Sequence, residues 1–292
     1  MLIAQITDCH VTARSEGHPR LGDTAAFVTQ AVSHLNMLRP QPDVVIATGD
    51  LCDPGDAEDY AVLRAALVRI AAPVFLIPGN HDDRARMRAT FHDHGWLRQD
   101  PAFLHYVIDD FPLRLIGLDT IAPGEDGGLL CEDRLRWISD RLEQAPHRPT
   151  FIFMHHPPVR IGMPFIDDLN CRGGEALGQI VARHPQIASI ACGHVHRPAN
   201  LAWCGTQLNT CPSTCYQFPL AMERNVPIVP RAEPRACRLY LWQDARLVSH
   251  LSYIPCGLPK GRLRWSRINH AVGRGRRHRS DEGFLTLRGA KY

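Results

Sequence analysis

Five short motifs along this chain put metal-binding side chains at the ends of apolar runs. They are Asp8-Cys9-His10, Gly49-Asp50, Gly79-Asn80-His81-Asp82, His155-His156 and Gly193-His194-Val195-His196. The runs before them are residues 2–7, 44–48, 74–78, 150–154 and 187–192, all strand-like. Parallel strands that end this way place their loops along one edge of a sheet, where open α/β folds bind ligands. The sequence therefore predicts two Asp, one Asn and several His gathered at one rim, a site for two metal ions.

The first 200 residues alternate such runs with helical patterns. Ala25, Val28, Val32, Leu35 and Leu38 recur at helix spacing, and Pro40 and Pro42 stop that segment. Residues 57–70, 84–91, 132–142 and 175–183 also read as helices, and 103–108 with 113–119 as a hairpin. After His196 the pattern changes to short antiparallel strands at 200–203, 207–210, 238–242 and 247–254, interrupted by a proline-punctuated loop at 212–234. Helix–strand alternation followed by a run of strands argues for an α/β fold, a four-layer αββα sandwich of two mixed sheets flanked by helices. The domain is expected to span residues 1–258, with 212–234 as a loop over the rim.

Composition narrows the classes. The 45% apolar content suits a globular protein with a sizeable core. No stretch approaches the roughly 18 apolar residues of a membrane span. The N-terminus lacks a basic region and runs straight into the first motif, so no signal peptide and a cytoplasmic location are expected. The ten cysteines form no CxxC pair, and Cys9, Cys52 and Cys192 read as small apolar filler at strand ends. Cys204, Cys211, Cys215 and Cys237 leave a structural zinc or a disulfide open as the lesser reading. The net charge of +3 hides an asymmetry. Residues 259–292 hold ten Lys or Arg against two acids, which leaves the rest net acidic. That tail reads as a solvated, disordered extension, with a nucleic-acid or acidic-partner arm as the sharper alternative.

Carboxylate and imidazole donors suit Zn, Mn, Fe or Co. Strand alternation points Asp8 and His10 the same way, and His194 and His196 likewise. Asp50 can bridge two ions as a carboxylate, and Asn80 offers a neutral oxygen. Each piece alone is an ordinary turn or surface group; all five in order, each after a strand, make a strong signal.

On these residues the chain resembles the calcineurin-like metallophosphoesterases, over roughly residues 1–255. It is most similar to the class III cyclic nucleotide phosphodiesterases and the bacterial glycerophosphodiesterases. The short Asp8-Cys9-His10 start, His155-His156-Pro157-Pro158, and Gly193-His194-Val195-His196-Arg197-Pro198 followed by Pro212-Ser213-Thr214 carry that closer likeness. Carried over by position, the resemblance assigns Asp8, His10, Asp50 and His196 to a first metal. It assigns Asp50, Asn80, His156 and His194 to a second, and implies a dimer or higher oligomer. Two ions about 3.5–4 Å apart would hold a bridging hydroxide for in-line attack at phosphorus. Asp50, Asn80 and His81 are the catalytic candidates. His81 either contacts the phosphoryl group, protonates the leaving alkoxide, or is a supporting residue held by Asp82. His155 is expected to point away from the site by strand alternation. Arg197 is expected to snorkel at the rim.

The ligand set fixes the reaction but not the leaving group. A small phosphodiester is expected, 3′,5′-cyclic AMP first, with a glycerophosphodiester or another cyclic phosphate close behind. Loops at 11–19, 160–170 and 212–234 should decide, through His18, Arg20, Met163, Phe165 and Phe218, the last three placed to stack on a base or cover a glycerol. A metal-dependent nuclease using the basic tail is a second reading. A non-catalytic interaction scaffold is a third, opposed by the complete ligand set.

Overall fold

Burial of whole strands decides where the motifs end up. The computed structural model describes residues 1–13 and 22–255. Its first half runs β1 (Leu2–Ile6), α1 (Thr24–Met37), β2 (Val44–Thr48), α2 (Ala57–Leu67), β3 (Val74–Ile77) and α3 (Arg84–Thr90). Then come β4 (Tyr106–Ile108), β5 (Arg114–Leu118), α4 (Glu132–Glu143), β6 (Thr150–Met154), α5 (Pro164–Asp167) and α6 (Gly174–Ala182). β7 (Ile187–Cys192), β8 (Asn200–Trp203), β9 (Thr206–Thr210), β10 (Ala236–Gln243) and β11 (Arg246–Tyr253) complete it. Asp23 caps α1 by accepting the Ala26 N–H at 2.8 Å, and Asp83 caps α3 through Arg86 N–H at 2.8 Å.

The strands form two mixed sheets, ordered β11-β10-β1-β2-β3 and β4-β5-β6-β7-β9-β8. β1, β2 and β3 are mutually parallel, as are β5, β6, β7 and β9. β6 shows how the layers stack. Its residues alternate: Phe151 and Phe153 join the core shared with the first sheet, while Ile152 and Met154 pack with Ile138, Leu142, Leu177 and Val181 of α4 and α6. On the first sheet's side, Val28, Val32, Leu35, Tyr60 and Leu63 of α1 and α2 close the core. This is the expected four-layer sandwich of two mixed sheets flanked by helices.

The late strands differ from a single antiparallel run. β8 and β9 form a hairpin that extends the second sheet, with β9 parallel to β7. β10 and β11 form another that returns to the first sheet beside β1. Both hairpins turn on two residues with positive φ, Cys204-Gly205 and Asp244-Ala245, which matches the right-handed twist of paired strands. The stretch between them, residues 211–235, is long enough to cross from one sheet to the other and passes over the rim. The segment 160–170 is not all loop, since it contains α5. Asp167 folds back there to accept the Ile161 and Gly162 N–H groups at 2.7 and 3.1 Å. His18, Arg20 and the basic tail from Pro259 lie outside the described residues.

Candidate metal centre

All five motifs lie just past strand ends, and there the backbone leaves the β region. Asp8, His10, Asp50, His194 and His196 have φ of 51°, 44°, 48°, 67° and 54°. Left-handed backbone costs a non-glycine residue ~1–3 kcal/mol and persists only where surroundings over-determine it. They do so here. Asp8 and His10 donate their N–H groups to Gly49 and Asp50 carbonyls, each at 3.0 Å. Ser213 Oγ donates to the Asp8 carbonyl at 2.7 Å, and the His194 N–H donates to the Asp8 carboxylate at 3.1 Å. Two glycines are required by close approach. A Cβ at Gly79 would sit 2.2 Å from Asp50 Oδ1 and 2.3 Å from Asp50 N. One at Gly193 would sit 2.2 Å from Thr7 Oγ1.

These turns bring one buried group together from Asp8, His10, Asp50 and His196. His196 Nδ1 donates to the Tyr216 carbonyl at 2.9 Å, which leaves Nε2 as a bare lone pair. That Nε2 lies 3.2 Å from Asp8 Oδ1 and 3.2 Å from His10 Nε2. His10 Nε2 is in turn 3.8 Å from Asp50 Oδ2. Two imidazole nitrogens and two carboxylate oxygens thus face one another, all from side chains almost fully buried. Such a donor set fits a cation, because converging lone pairs and anionic oxygens otherwise repel.

The second group is built differently. His155, His156 and His194 come together, with Asn80 beside them. His194 Nε2 is buried with no hydrogen-bond partner, as a donor awaiting a cation would be. His156 has both ring nitrogens engaged: Nε2 donates to the Asp126 carbonyl at 3.1 Å, and Nδ1 accepts from Thr120 Oγ1 at 2.8 Å. As a ligand through Nε2, His156 would give up the Asp126 carbonyl and carry its proton on Nδ1, donating to Thr120 Oγ1 instead of accepting from it. Asn80 Oδ1 is 3.2 Å from His155 Nε2.

His155 does not point away from the site. Its Nδ1 donates to the Thr48 carbonyl at 2.7 Å, and its Nε2 lies 3.3 Å from Asp50 Oδ1. Alternation fails as a guide because β6 ends at Met154, so residues 155 and 156 are no longer on a pleat. Asp50 therefore turns one oxygen to the first group and the other to His155, and Oδ1 also accepts the His81 N–H at 3.0 Å.

His81 is not held by Asp82. Its Nδ1 lies 3.2 Å from Asp53 Oδ1, and its Nε2 is 3.9 Å from Asp50 Oδ2, at 38% side-chain exposure. Asp82 instead accepts from the N–H groups of Gly79 and Leu51, at 2.9 and 3.0 Å, and from Tyr60 OH at 2.9 Å. It fastens the second and third motifs together. Arg197 donates to the Phe218 carbonyl at 2.6 Å and pairs with Glu233 at 2.8 Å, so it ties down the rim loop rather than snorkelling.

Electrostatics sorts the imidazoles into two kinds. Burial lowers His10 to about 4 and His194 to about 3, and pushes His156 well below its ordinary value. These three are neutral donors at neutral pH. Burial also disfavours charge on His155 and His81, but the Asp50 carboxylate beside His155, and Asp53 with Asp50 beside His81, outweigh it and raise both to about 9. Burial pushes the Asp50 carboxyl up, yet His155 and its neighbours overcome this and hold it well below the carboxylate range. Burial pushes the Asp8 carboxyl up as well, but His196 and His155 together hold it below its ordinary value.

The structure thus gathers every candidate residue at one rim: Asp8, His10, Asp50, Asn80, His81, His156, His194 and His196. It adds contacts that no motif marked. Asp53 follows Asp50 by three residues, and that spacing past the Gly49-Asp50 turn was the available signal. Thr120, Asp126 and Tyr216 had none, since they reach the site only through tertiary packing. The nine described cysteines are free, and none belongs to a group able to hold a metal among the described residues.

A family model described as calcineurin-like phosphoesterase matches residues 1–198. The chain belongs to that family. Such enzymes use a dinuclear metal centre, and the clustered Asp and His side chains fit one. The chain is similar to the probable glycerophosphodiester phosphodiesterase GpdQ of Arcobacter nitrofigilis, 33% identical over 256 residues, covering 87% of this chain and 93% of that one. It is also similar to the 3′,5′-cyclic adenosine monophosphate phosphodiesterase CpdA of Escherichia coli, 32% identical over 219 residues, covering 74% and 77%. Its fold resembles a dimetal phosphatase from Danio rerio, with a TM-score of 0.65 at 16% identity, covering 86% of this chain and 95% of that one.

Proposed function

We propose that this chain is a two-cation phosphodiesterase of small diesters, with 3′,5′-cyclic AMP as its first substrate. The observation that carries the reading is the Asp8, His10, Asp50 and His196 cluster, with the second Asp50 oxygen turned toward the neighbouring group. Asp8, His10, Asp50 and His196 would hold one ion, and Asp50, Asn80, His156 and His194 the other. Fe, Mn, Zn or Co suits these donors. The bound ions would supply Lewis-acid polarisation of the phosphoryl group and a water nucleophile at neutral pH.

The remaining chemistry falls to side chains. His155 fixes Asp50 against the Thr48 carbonyl, so the shared carboxylate cannot rotate away. His81 stands at the mouth and leans its Nδ1 on Asp53, and Asp53 with Asp50 favours its protonated form. From Nε2 it can give that proton to the departing alkoxide as the phosphorus–oxygen bond breaks, leaving an alcohol and a phosphomonoester.

A glycerophosphodiester is the second reading, favoured by the GpdQ relative, which this chain matches over more of its length. No helix among the described residues is long and apolar enough to cross a membrane. The reading further takes residues 1–258 as the catalytic domain of a cytoplasmic, self-associating enzyme, without a nucleic-acid substrate. The test is hydrolysis of bis(p-nitrophenyl) phosphate beside 3′,5′-cyclic AMP after metal stripping and Mn reloading. Metal-dependent turnover of both is expected. Turnover of the synthetic diester alone moves the substrate to glycerophosphodiesters, and turnover of no diester overturns the reading.

A further inference from the structure

A run of aromatic rings leads away from the candidate centre along one wall. Tyr216 packs on both His10 and His196, with centroids 5.2 and 4.4 Å apart. Phe218 packs on His196 at 4.5 Å and 32°, and meets Tyr216 edge-on at 5.6 Å. Phe165, carried by α5, meets Phe218 at 6.4 Å and is 46% exposed. Tyr216 and Phe218 are half-buried, so part of each residue is exposed.

The wall is fastened from behind. Phe218 and Ile161 rest on a small apolar cluster of Met163, Ile166 and Val195, separate from the two large cores. Arg197 holds the Phe218 carbonyl, and Gln217 and Arg231 exchange backbone hydrogen bonds at 3.0 and 2.8 Å. Arg224 joins the rim loop to Asp168, just beyond α5, at 2.9 Å. These ties cost little further ordering on binding, so a ligand that lies on the wall keeps most of its contact energy.

We propose that Phe218, flanked by Tyr216 and Phe165, is a specificity-determining residue that receives the planar nucleobase of the diester. This rests on the phosphodiesterase reading above. A base has a π-face that gains from an aromatic partner whatever its sequence identity. A glycerol chain has none, and its hydroxyls would meet ring carbons that cannot hydrogen-bond them. The rings begin against two metal-site imidazoles, so a base joined to the reacting phosphorus through one ribose is delivered to them. The competing account is that Phe218 only props His196.

The experiment compares Phe218→Leu, which keeps apolar bulk without the π-face, and Phe218→Tyr, which keeps the face. Each Mn-loaded protein is assayed on 3′,5′-cyclic AMP and on glycerophosphoethanolamine, and titrated with 5′-AMP and glycerol 3-phosphate. Phe218→Leu is expected to lose on the order of tenfold in kcat/KM on cyclic AMP, mainly through KM. Glycerophosphoethanolamine turnover stays near wild type, and Phe218→Tyr behaves as wild type on both. Equal losses on both substrates, loss on neither, or wild-type turnover of glycerophosphoethanolamine alone overturns the assignment. If wild type hydrolyses neither diester, the phosphodiesterase reading fails by itself. The titrations then decide the wall: Phe218→Leu weakening 5′-AMP but not glycerol 3-phosphate sustains it, and equal effects sink it.

Discussion

The two halves of the centre are prepared to different degrees. In the first, four donor atoms from Asp8, His10, Asp50 and His196 face one another, and the Tyr216 carbonyl fixes the tautomer of His196. In the second, His194 Nε2 stands ready but His156 is bonded on both nitrogens by Thr120 and Asp126. An ion entering the first half finds its ligands placed; one entering the second must displace a carbonyl first. Preorganisation of the ligands raises affinity by lowering the reordering cost. The first half should therefore fill at lower ion concentration.

The largest expected effect removes what the halves share. Asp50→Ala should lower turnover by more than the ~10²–10³-fold typical of losing one stabilising group, because both ions lose a ligand. Near-normal kcat in that variant would break the shared-carboxylate account. Next, His81→Ala should cost roughly 10²-fold on cyclic AMP, whose alkoxide needs a proton, and far less on bis(p-nitrophenyl) phosphate, whose phenolate does not. Equal losses on the two substrates would take the proton-donor role from His81.

The comparison itself is sharpened by calorimetric titration of the stripped protein with Mn. Two steps are expected, the first tighter. Thr120→Val should weaken only the second, by about tenfold, as loss of a hydrogen bond to a metal-bound imidazole commonly does. A single step, or weakening of the first, contradicts the two-stage picture.

A smaller effect concerns pH and the ion-free protein. His155 and His81 are raised to about 9 in the folded chain, so the stability they add is complete below their unfolded value of 6.5 and is lost as pH rises through 9. His10 and His194 are lowered to about 4 and 3, so stability also falls as pH drops from 6.5 through those values, where only the unfolded chain takes up protons. Thermal melts of chelator-treated protein should peak near the unfolded value of 6.5, and His155→Gln should flatten the alkaline side. A melting temperature that climbs steadily to pH 9 would contradict the His155–Asp50 pairing. The smallest effect is expected from deleting residues 259–292: small-diester turnover should stay nearly unchanged, and a collapse would make the tail part of the active fold.

How much of this could be read from residues alone depends on the physics involved. Strand positions were legible because buried parallel strands are continuous apolar runs, and β2, β6 and β7 match their expected spans. The meeting of the motifs followed from strand ends sharing a rim. Asp8 and His10 do converge, through left-handed backbone rather than pleat alternation, whereas His194 and His196 part: His196 joins Asp8, His10 and Asp50, and His194 joins His155 and His156. For the same reason His155 turns toward Asp50, against the expectation from alternation. The partners of His81 and His156 were hidden because Asp53 and Asp126 occupy turns, whose directions no periodicity encodes. The sheet chosen by each late hairpin depended on pairing far along the chain, β10 with β1 and β9 with β7.

That long-range pairing has a consequence for synthesis. The first strand made, β1, acquires its second neighbour only when β10 has emerged, and the candidate metal group of Asp8, His10, Asp50 and His196 spans residues 8 to 196. A ribosome carrying three-fifths of this chain therefore displays Asp8, His10 and Asp50 without the histidine that completes them. Ion capture at the full first group must come after most of translation, and a chain stalled before residue 194 presents an unsealed acidic edge to whatever cations, chaperones or proteases it meets.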